Sequence, residues 1–271
     1  FAEGIANYEN GAWQYLNENE SYPENLIHLA LSVDPQGNLW DTKVFFGTKM
    51  YNGTQWQRIW NGPIGFEIGI TGKDGAVWFG YLNTLSKYYP ATGQTEVVLL
   101  DPTNLFEGNM VGLEAGPNGT FYAANQLGRL FWYDGNGQFK FKGGNAWNTY
   151  VRMAASQTNS LFYQGWDVFS CLIEYNAVTN YTNTIVQYHN TNPAIPFSEQ
   201  YHFDLDRRDR LWMITDKGIV YWKNGAWKTF YEPGPIVDFP EGMVAGVNGL
   251  WLYSNKKKKL QYFDGRDTAS W

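Results

Sequence analysis

The fold is decided by a stretch near the N-terminus that reads Val33-Asp34-Pro35-Gln36-Gly37-Asn38-Leu39-Trp40. It joins an apolar alternating run to a polar turn, and an aromatic residue stands near the start of the segment that follows. An Asp side chain can bond to its own backbone in such a turn, and Gly readily takes the left-handed conformation. The stretch therefore predicts two antiparallel strands joined by an Asp/Gly turn.

The same pattern recurs along the whole chain. Its further copies, two of them weaker than the rest, are Gly72–Trp78, Gly116–Tyr122, Ser156–Phe162, Asp206–Trp212 and Gly246–Trp251. The aromatic residues of the six copies are at positions 40, 78, 122, 162, 212 and 251, so the unit returns about every 40 residues. A period of this length indicates a repeat architecture.

A second turn pattern is interleaved with the first. Tyr51-Asn52-Gly53-Thr54-Gln55-Trp56 has counterparts at Tyr133–Phe139, Trp222–Trp227 and Tyr262–Gly265. Asn-Gly and Asp-Gly supply the positive φ angles that two-residue hairpin turns need. Each unit therefore holds two hairpins, or four strands, which is the blade of a β-propeller.

We predict an all-β chain that forms a single β-propeller domain over residues 1–271. Six blades of four antiparallel strands are favoured, and a ring of seven with one incomplete blade is the alternative. The hairpin in residues 1–25 is expected to help close the ring. We expect Trp40, Trp78, Trp212 and Trp251 to pack between neighbouring blades. The predicted repeats are residues 26–64, 65–108, 109–147, 148–197, 198–236 and 237–271.

Composition excludes several classes of partner. The 271 residues carry a formal net charge of −6, whereas a nucleic-acid or anionic-membrane partner needs a basic face. No apolar run approaches 18 residues, which argues against direct insertion into a membrane. The single cysteine, Cys171, excludes both a disulfide within the chain and a cysteine-based metal site.

The repeat resembles two known groups of propellers. The turn at Asp34–Trp40 followed by Gly47–Gln57 resembles the two-component-regulator propeller repeat of bacterial sensor ectodomains. The segment from Lys73 to Gly93 is similar to a blade of the related streptogramin B lyase-like propellers. The first resemblance implies an extracytoplasmic ligand-binding domain, periplasmic or secreted, that is usually N-terminal in a membrane receptor. The second implies a metal-assisted elimination that uses histidines.

The residues for such an elimination are not evident. The chain has three histidines, His28, His189 and His202, and none is spaced as a metal-binding pair. The histidine arrangement of the lyases is not reproduced, and no Gly-x-Ser-x-Gly nucleophile motif occurs. We therefore predict no catalytic residue, no metal and no cofactor.

A binding face can be predicted from the topology of a blade. The loops between second and third strands and the starts of the innermost strands converge at one end of a propeller. Flat aromatic side chains, a guanidinium and acids at that end suit a polar organic ligand. The predicted ligand-binding residues are Tyr81, Arg152, Trp166, His202, Asp216, His28 and Glu67.

These observations lead to a functional hypothesis with two alternatives. The hypothesis is a non-catalytic extracytoplasmic propeller, possibly a receptor's sensor ectodomain, that binds a small polar organic ligand, a glycan or a protein. One alternative is a lyase-like or glycan-cleaving enzyme, in which Glu67, Arg152 and His28 or His202 would have to converge. The other is a scaffolding subunit of a larger assembly.

Overall fold

A computed structural model describes most of the strands of the chain. The described residues are 5–9, 12–16, 28–34, 36–43, 47–60, 68–71, 75–81, 84–99, 110–125, 129–136, 139–142, 152–164, 172–186, 195, 200–230, 242–246, 249–254 and 259–263. They fall into two compact units, residues 1–125 and 126–271, which are described separately. Within these ranges the only helix is a single 3-10 turn, Pro117–Gly119.

The first unit consists of strands that follow one another along the chain. They are β1 (Ile5–Glu9), β2 (Ala12–Leu16), β3 (His28–Val33), β4 (Leu39–Lys43), β5 (Gly47–Tyr51), β6 (Trp56–Trp60), β7 (Ile68–Thr71), β8 (Val77–Tyr81), β9 (Thr84–Tyr89), β10 (Gln94–Leu99), β11 (Met110–Ala115) and β12 (Phe121–Asn125).

The second unit continues the same pattern. Its strands are β13 (Leu130–Tyr133), β14 (Phe139–Lys142), β15 (Arg152–Ala155), β16 (Ser160–Gln164), β17 (Leu172–Asn176), β18 (Tyr181–Val186), β19 (Gln200–Leu205), β20 (Leu211–Thr215), β21 (Gly218–Lys223), β22 (Ala226–Phe230), β23 (Gly242–Ala245), β24 (Leu250–Ser254) and β25 (Lys259–Phe263).

The strands form antiparallel sheets in which sequence neighbours are also spatial neighbours. Five sheets have four strands each: β3–β6, β7–β10, β11–β14, β15–β18 and β19–β22. The described part of the sixth has three, β23–β25, and β1 pairs with β2 in a separate two-stranded sheet. This succession of blades confirms the predicted fold class, an all-β propeller. The single-domain organisation and the closing role of residues 1–25 stay predictions.

The first turn of a blade is organised by an Asp carboxylate. Oδ1 of Asp34 accepts hydrogen bonds from the backbone N–H groups of Gln36 (3.0 Å) and Asn38 (2.8 Å). Its Oδ2 accepts the indole N–H of Trp40 at 3.0 Å. Asp34 and Trp40 are 3% and 2% exposed. One side chain therefore holds both the turn and the large aromatic that follows it.

Asp206 makes the same contacts in the fifth sheet. Its Oδ1 accepts the N–H groups of Arg208 (2.8 Å) and Arg210 (3.0 Å), and its Oδ2 accepts the indole N–H of Trp212 at 2.9 Å. Burial alone would raise the pKa of Asp206. The hydrogen bonds from Trp212, Arg210 and Arg208 outweigh burial and hold the pKa below its ordinary value. The carboxylate therefore stays charged.

The second turn of a blade depends on backbone conformation. Asn224 and Gly225, between β21 and β22, have φ angles of 50° and 81°. Positive φ at both central residues defines the type I′ hairpin turn, which matches the twist of the strands that flank it. The Asn224-Gly225 signal thus has the meaning expected from the sequence. At Asn52-Gly53 and Asp134-Gly135 only the glycine has a positive φ, so those two turns are not of type I′.

Three tryptophans fill the space between consecutive sheets. Trp40, Trp78 and Trp212 are no more than 2% exposed. Each contacts an aromatic side chain of the sheet that follows it in the chain. The pairs and their ring-centroid distances are Trp40 with Tyr88 (5.7 Å), Trp78 with Phe121 (4.9 Å) and Trp212 with Phe263 (6.0 Å). The expectation of packing between blades is correct for these three.

The expectation is wrong for Trp251, which is 36% exposed. Its strand pairing places it opposite Val244 and Tyr262, which are 62% and 38% exposed. Trp251 contacts Tyr262 within its own sheet, with ring centroids 5.0 Å apart and the ring planes tilted by 51°. Among the described strands none follows β25 in the chain, so no following sheet is described that could bury this face.

Trp78 and Trp251 form a matched pair for a stability test. Trp78→Ala should lower the free energy of unfolding by about 3–5 kcal/mol, because it opens a cavity at a fully buried site. Trp251→Ala should cost much less, since a third of that side chain is already in water. Urea denaturation of both variants measures the difference. Equal losses would show that the two positions are packed alike.

The Asp turn supports a second stability test. Asp206→Ala should cost at least about 2 kcal/mol, because it leaves the buried indole N–H of Trp212 and two turn N–H groups without their acceptor. Asn52→Ala is the control. Asn52 also accepts two backbone N–H groups, from Thr54 and Gln55, but its turn is exposed and water can replace it. Similar losses of stability in the two variants would refute the role given to burial.

Candidate functional site

Most of the predicted binding residues that the structure describes lie at the same ends of their strands. Arg152 is the first residue of β15 and His202 the third of β19, both innermost strands. Asp216 follows the last residue of β20. His28 begins β3 and Tyr81 ends β8 in the first unit, but their side chains are not among those described.

Two predicted residues, Glu67 and Trp166, lie outside the described residues. Their part in the site stays a prediction. The candidate site is therefore built from the second unit, where Arg152, His202 and Asp216 are all described.

The fold brings Arg152 and His202 together. Each lies four residues before the residue that organises the first turn of its blade, Ser156 and Asp206 respectively. They thus occupy equivalent positions on neighbouring inner strands. Nη1 of Arg152 contacts Nδ1 of His202, and Nη2 lies 3.5 Å from Nε2. The Arg152 side chain is exposed, whereas His202 is half-buried.

The contact determines the protonation state of the imidazole. A guanidinium has only donors, so the ring nitrogen that it contacts can only accept, which disfavours an imidazole with protons on both nitrogens. Burial and, to a smaller extent, the positive charge of Arg152 together lower the pKa of His202 to about 4. His202 is therefore neutral at pH 7, and the positive charge of the pair belongs to Arg152.

A β-bulge re-aims the start of β19. The pairing with β20 shifts between Gln200, opposite Thr215, and His202, opposite Ile214, so Tyr201 is an extra residue. Such bulges alter side-chain direction and occur often near functional sites. An equivalent bulge lies between His28 and Ala30 in β3. His28 therefore corresponds in register to Gln200 and not to His202.

Asp216 lies at the same end of its sheet as His202. It occupies the turn between β20 and β21, and its Oδ2 is 3.6 Å from Nζ of Lys217. The side chain of Lys217 is 57% exposed, so this ion pair contributes little to the stability of the fold. Asp216 thus places an acid at the end of the sheet where β20 stops, beyond the residue that pairs with Gln200.

The sequence analysis missed an acid in this part of the molecule, Asp204. Its Oδ2 accepts the N–H of Ala245 in β23 at 2.7 Å, and its Oδ1 accepts the N–H of Leu205 at 2.8 Å. Burial raises the pKa of Asp204 to about 6, although both hydrogen bonds oppose this. Asp204 links two neighbouring inner strands. The sequence did contain a signal for Asp204. At the equivalent position of the two neighbouring inner strands stand the apolar residues Ala154 and Val244.

The first unit holds a separate buried polar group. Asp41 and Lys49, 1% and 5% exposed, are direct cross-strand partners on β4 and β5. The next pair, Thr42 and Thr48, is joined by a hydroxyl hydrogen bond of 3.0 Å. Opposite charges at paired positions allow both to leave water at lower cost. We interpret this group as part of the packing of the first blade.

Two searches of the described residues bear on function. No group of three or more His, Cys, Asp or Glu side chains there could hold a metal ion. Nor does any described helix have the length and apolar character needed to cross a membrane.

No model of a known protein family matches the sequence, and no curated protein sequence matches it. Solved structures do match. One is the extracellular domain of BT3049, a hybrid two-component system protein of B. thetaiotaomicron, with a TM-score of 0.60 and 16% identity over 91% of this chain. The chain spans 35% of that protein's length.

Two further matches come from other propeller proteins. YCF48 bound to D1 peptide has a TM-score of 0.59 and 15% identity, and 88% of this chain covers 80% of that one. XC5397, a gluconolactonase from Xanthomonas campestris, has a TM-score of 0.55 and 9% identity. The match covers 83% of this chain and 82% of that one. At these identities the likeness concerns the fold. It confirms the resemblance to a two-component-regulator-type propeller at that level.

Asp204 gives the stability of the protein a pH dependence. The folded carboxyl keeps its proton up to about pH 6, whereas the unfolded one loses it near pH 4. Its contribution to the free energy of unfolding should therefore fall as the pH rises from about 4 to about 6. The shift corresponds to a loss on the order of 3 kcal/mol.

Urea denaturation of the parent and of Asp204→Asn across this range measures the effect. His202, whose folded pKa is lowered, acts in the opposite direction, since its contribution is lost as the pH falls from about 6.5 to about 4. That effect is present in both proteins and cancels in their difference. The difference should decline from pH 4 to pH 6 and then level off. Parallel profiles would show that Asp204 titrates normally.

Proposed function

We propose that this chain is a non-catalytic, sensor-type propeller that binds a ligand at the inner-strand ends where Arg152 and His202 meet. We place it outside the cytoplasm, in the periplasm or secreted. The ligand is a small polar organic molecule, a glycan or a protein segment that presents hydrogen-bond acceptors. Trp166 and Asp216 of the same unit are proposed to contribute to this site. Tyr81, His28 and Glu67 are proposed as ligand-binding residues of the first unit.

The observation that carries the proposal is the contact between Arg152 and His202. Two polar side chains from different blades converge on one place, which is what a binding site on a propeller requires. The guanidinium is exposed and always charged, and the neutral imidazole beside it offers a ring N–H. The pair is thus rich in donors.

The opposite end of the blades supports the same assignment. There the side chains of Asp34 and Asp206 are buried and committed to the turns and to the tryptophans. Residues at that end cannot change without loss of stability, whereas residues at the Arg152 end can vary with less effect on the core. The end at which substitutions disturb the core less is the better place for recognition.

The comparisons support the class of function. BT3049 and similar proteins are described as extracellular domains of two-component systems, and YCF48 was solved with a bound peptide. Propellers of this architecture therefore serve as extracellular domains and as peptide binders. The chain studied here carries a donor-rich pair of its own at the inner strands, and the proposal rests on that pair.

A ligand screen with two matched variants tests the proposal. Thermal shifts should identify ligands among glycans, peptides and small organic acids, because binding to the folded state raises the melting temperature. Arg152→Ala should weaken a ligand's affinity by about 10- to 100-fold, the equivalent of one charged hydrogen bond at about 1.5–3 kcal/mol. Titration calorimetry measures the affinity.

Arg207→Ala is the control, since Arg207 is an exposed arginine in the turn at the other end of β19. It should leave the affinity unchanged, and both variants should keep the melting temperature of the parent. If Arg207→Ala lowered the affinity for a ligand and Arg152→Ala did not, the binding site would lie at the opposite end of β19, and the proposal would be wrong. If no compound in the screen bound, the scaffolding alternative would be favoured.

A further inference from the structure

Asparagine followed by glycine is prone to a spontaneous reaction of the polypeptide chain, deamidation. The backbone nitrogen of the glycine attacks the asparagine side chain, and a residue without Cβ hinders that approach least. The structure describes both residues of three such pairs: Asn52-Gly53, Asn118-Gly119 and Asn224-Gly225. The dipeptides are chemically alike, so a difference between them in the folded protein must come from their surroundings.

We infer that Asn224 is the modification site among these three, and that it converts spontaneously to aspartate and isoaspartate in the folded protein. Asn224 lies in the turn between β21 and β22. Its neighbour Lys223 donates to the backbone carbonyl of Arg208 at 3.0 Å, in the turn at the other end of β19 from His202. The inference therefore concerns a different place from the proposed binding site and does not depend on it.

The reaction needs water and no other reactant. The amide nitrogen of Gly225 loses its proton to base and bonds to Cγ of Asn224, while the bond from Cγ to Nδ2 breaks and ammonia leaves. The product is a succinimide ring. Water then opens the ring at one of its two carbonyl carbons. One opening gives aspartate, and the other gives isoaspartate, in which the main chain runs through the former side chain.

The surroundings of Asn224 permit each of these steps. Asn224 and Gly225 are both exposed, so base and water reach the reacting groups. The Asn224 side chain makes no hydrogen bond to any residue that the structure describes. A Cβ built on Gly225 would meet nothing within 4 Å, so the space beside the attacking nitrogen is open. The carboxamide can therefore turn towards that nitrogen without breaking a contact.

The carboxamide of Asn52, although exposed, is held in place. Its Oδ1 accepts the backbone N–H groups of Thr54 and Gln55, each at 3.0 Å, and the hydroxyl of Thr54 at 2.8 Å. Rotation of the side chain towards the nitrogen of Gly53 moves Oδ1 away from these donors. The reaction at Asn52 must first break hydrogen bonds that Asn224 does not have, so it should be slower.

Asn118 shows that backbone conformation alone does not select the site. Asn118 and Gly119 have φ angles of 55° and 74°, close to the 50° and 81° of Asn224 and Gly225. Gly119, however, is buried, whereas Gly225 is exposed. Burial keeps base away from the nitrogen that must lose its proton. The exposure of the glycine therefore separates two turns of similar shape.

The two products should affect the fifth blade differently. Aspartate preserves the turn, because Asp-Gly also forms type I′ turns, and it adds one negative charge. Isoaspartate adds an atom to the main chain of a two-residue turn. The cross-strand pairs Lys223–Ala226 and Trp222–Trp227 then lose their register. We therefore expect isoaspartate, and not aspartate, to lower the melting temperature.

Incubation of the folded protein in mildly alkaline buffer, followed by digestion with trypsin, tests the inference. Mass spectrometry detects the exchange of an amide for a carboxyl group, and chromatography separates the two isomers. Cleavage after Lys49 and Lys223 releases two short peptides that carry one Asn-Gly pair each, Met50–Arg58 and Asn224–Lys228.

We expect Asn224 to react faster than Asn52 by at least about fivefold, the rate equivalent of about 1 kcal/mol for one net hydrogen bond. Asn118 should also react more slowly than Asn224. Asn224→Gly, which keeps a residue suited to positive φ, should abolish the reaction in this turn and the loss of melting temperature that accompanies isoaspartate.

The same incubation in urea is the control. Unfolding removes the hydrogen bonds of Asn52 and the burial of Gly119, so the three rates should converge. A difference that persisted in urea would come from the local sequence, and the inference would be wrong. Equal rates at Asn224 and Asn52 in the folded protein, or a faster reaction at Asn118, would also overturn it.

Discussion

The structure depends on one repeated interaction, an Asp carboxylate that holds a turn with one oxygen and an indole N–H with the other. In Asp34 and Asp206 the two functions are joined in a single buried side chain. The turn fixes where the second strand of the blade begins, and the indole fixes where the largest apolar side chain points. The packing between sheets follows, because Trp40 and Trp212 contact the next sheet from that position.

Two described turns that lack this Asp are held by other polar groups. Ser156 accepts the backbone N–H groups of Thr158 and Ser160 with its hydroxyl, and the aromatic six residues on is Phe162, which needs no acceptor. In the third blade Thr120 donates its hydroxyl to the carbonyl of Pro117 at 2.6 Å. In these two turns the polar group differs, and the aromatic residue at the equivalent position is Phe162 or Tyr122 and not a tryptophan.

The candidate site lies at the other end of the strands and follows a different logic. Arg152 and His202 occupy equivalent places on adjacent blades, so the repeat itself brings them together. Asp204, two residues from His202, uses its carboxylate to bind the backbone of the next inner strand. Burial moves the pKa values of these two groups in opposite directions, down for His202 and up for Asp204, because it disfavours the charged form of each. Among the described residues, β19 of the second unit thus carries two groups with strongly shifted pKa values.

The sequence by itself determined the blade, because its signals are local. Asp/Gly turns, Asn-Gly hairpins and an aromatic at a fixed distance act within about ten residues, and each specifies one hairpin. It also marked Arg152 and His202 as candidates from their place near the start of inner strands. Only the tertiary structure decided that these two meet, that β19 bulges at Tyr201, that Asp204 is hydrogen-bonded to β23, and that Trp251 remains exposed. Contact and burial depend on which sheet lies opposite, and no local pattern encodes the identity of a neighbour 40 or more residues away.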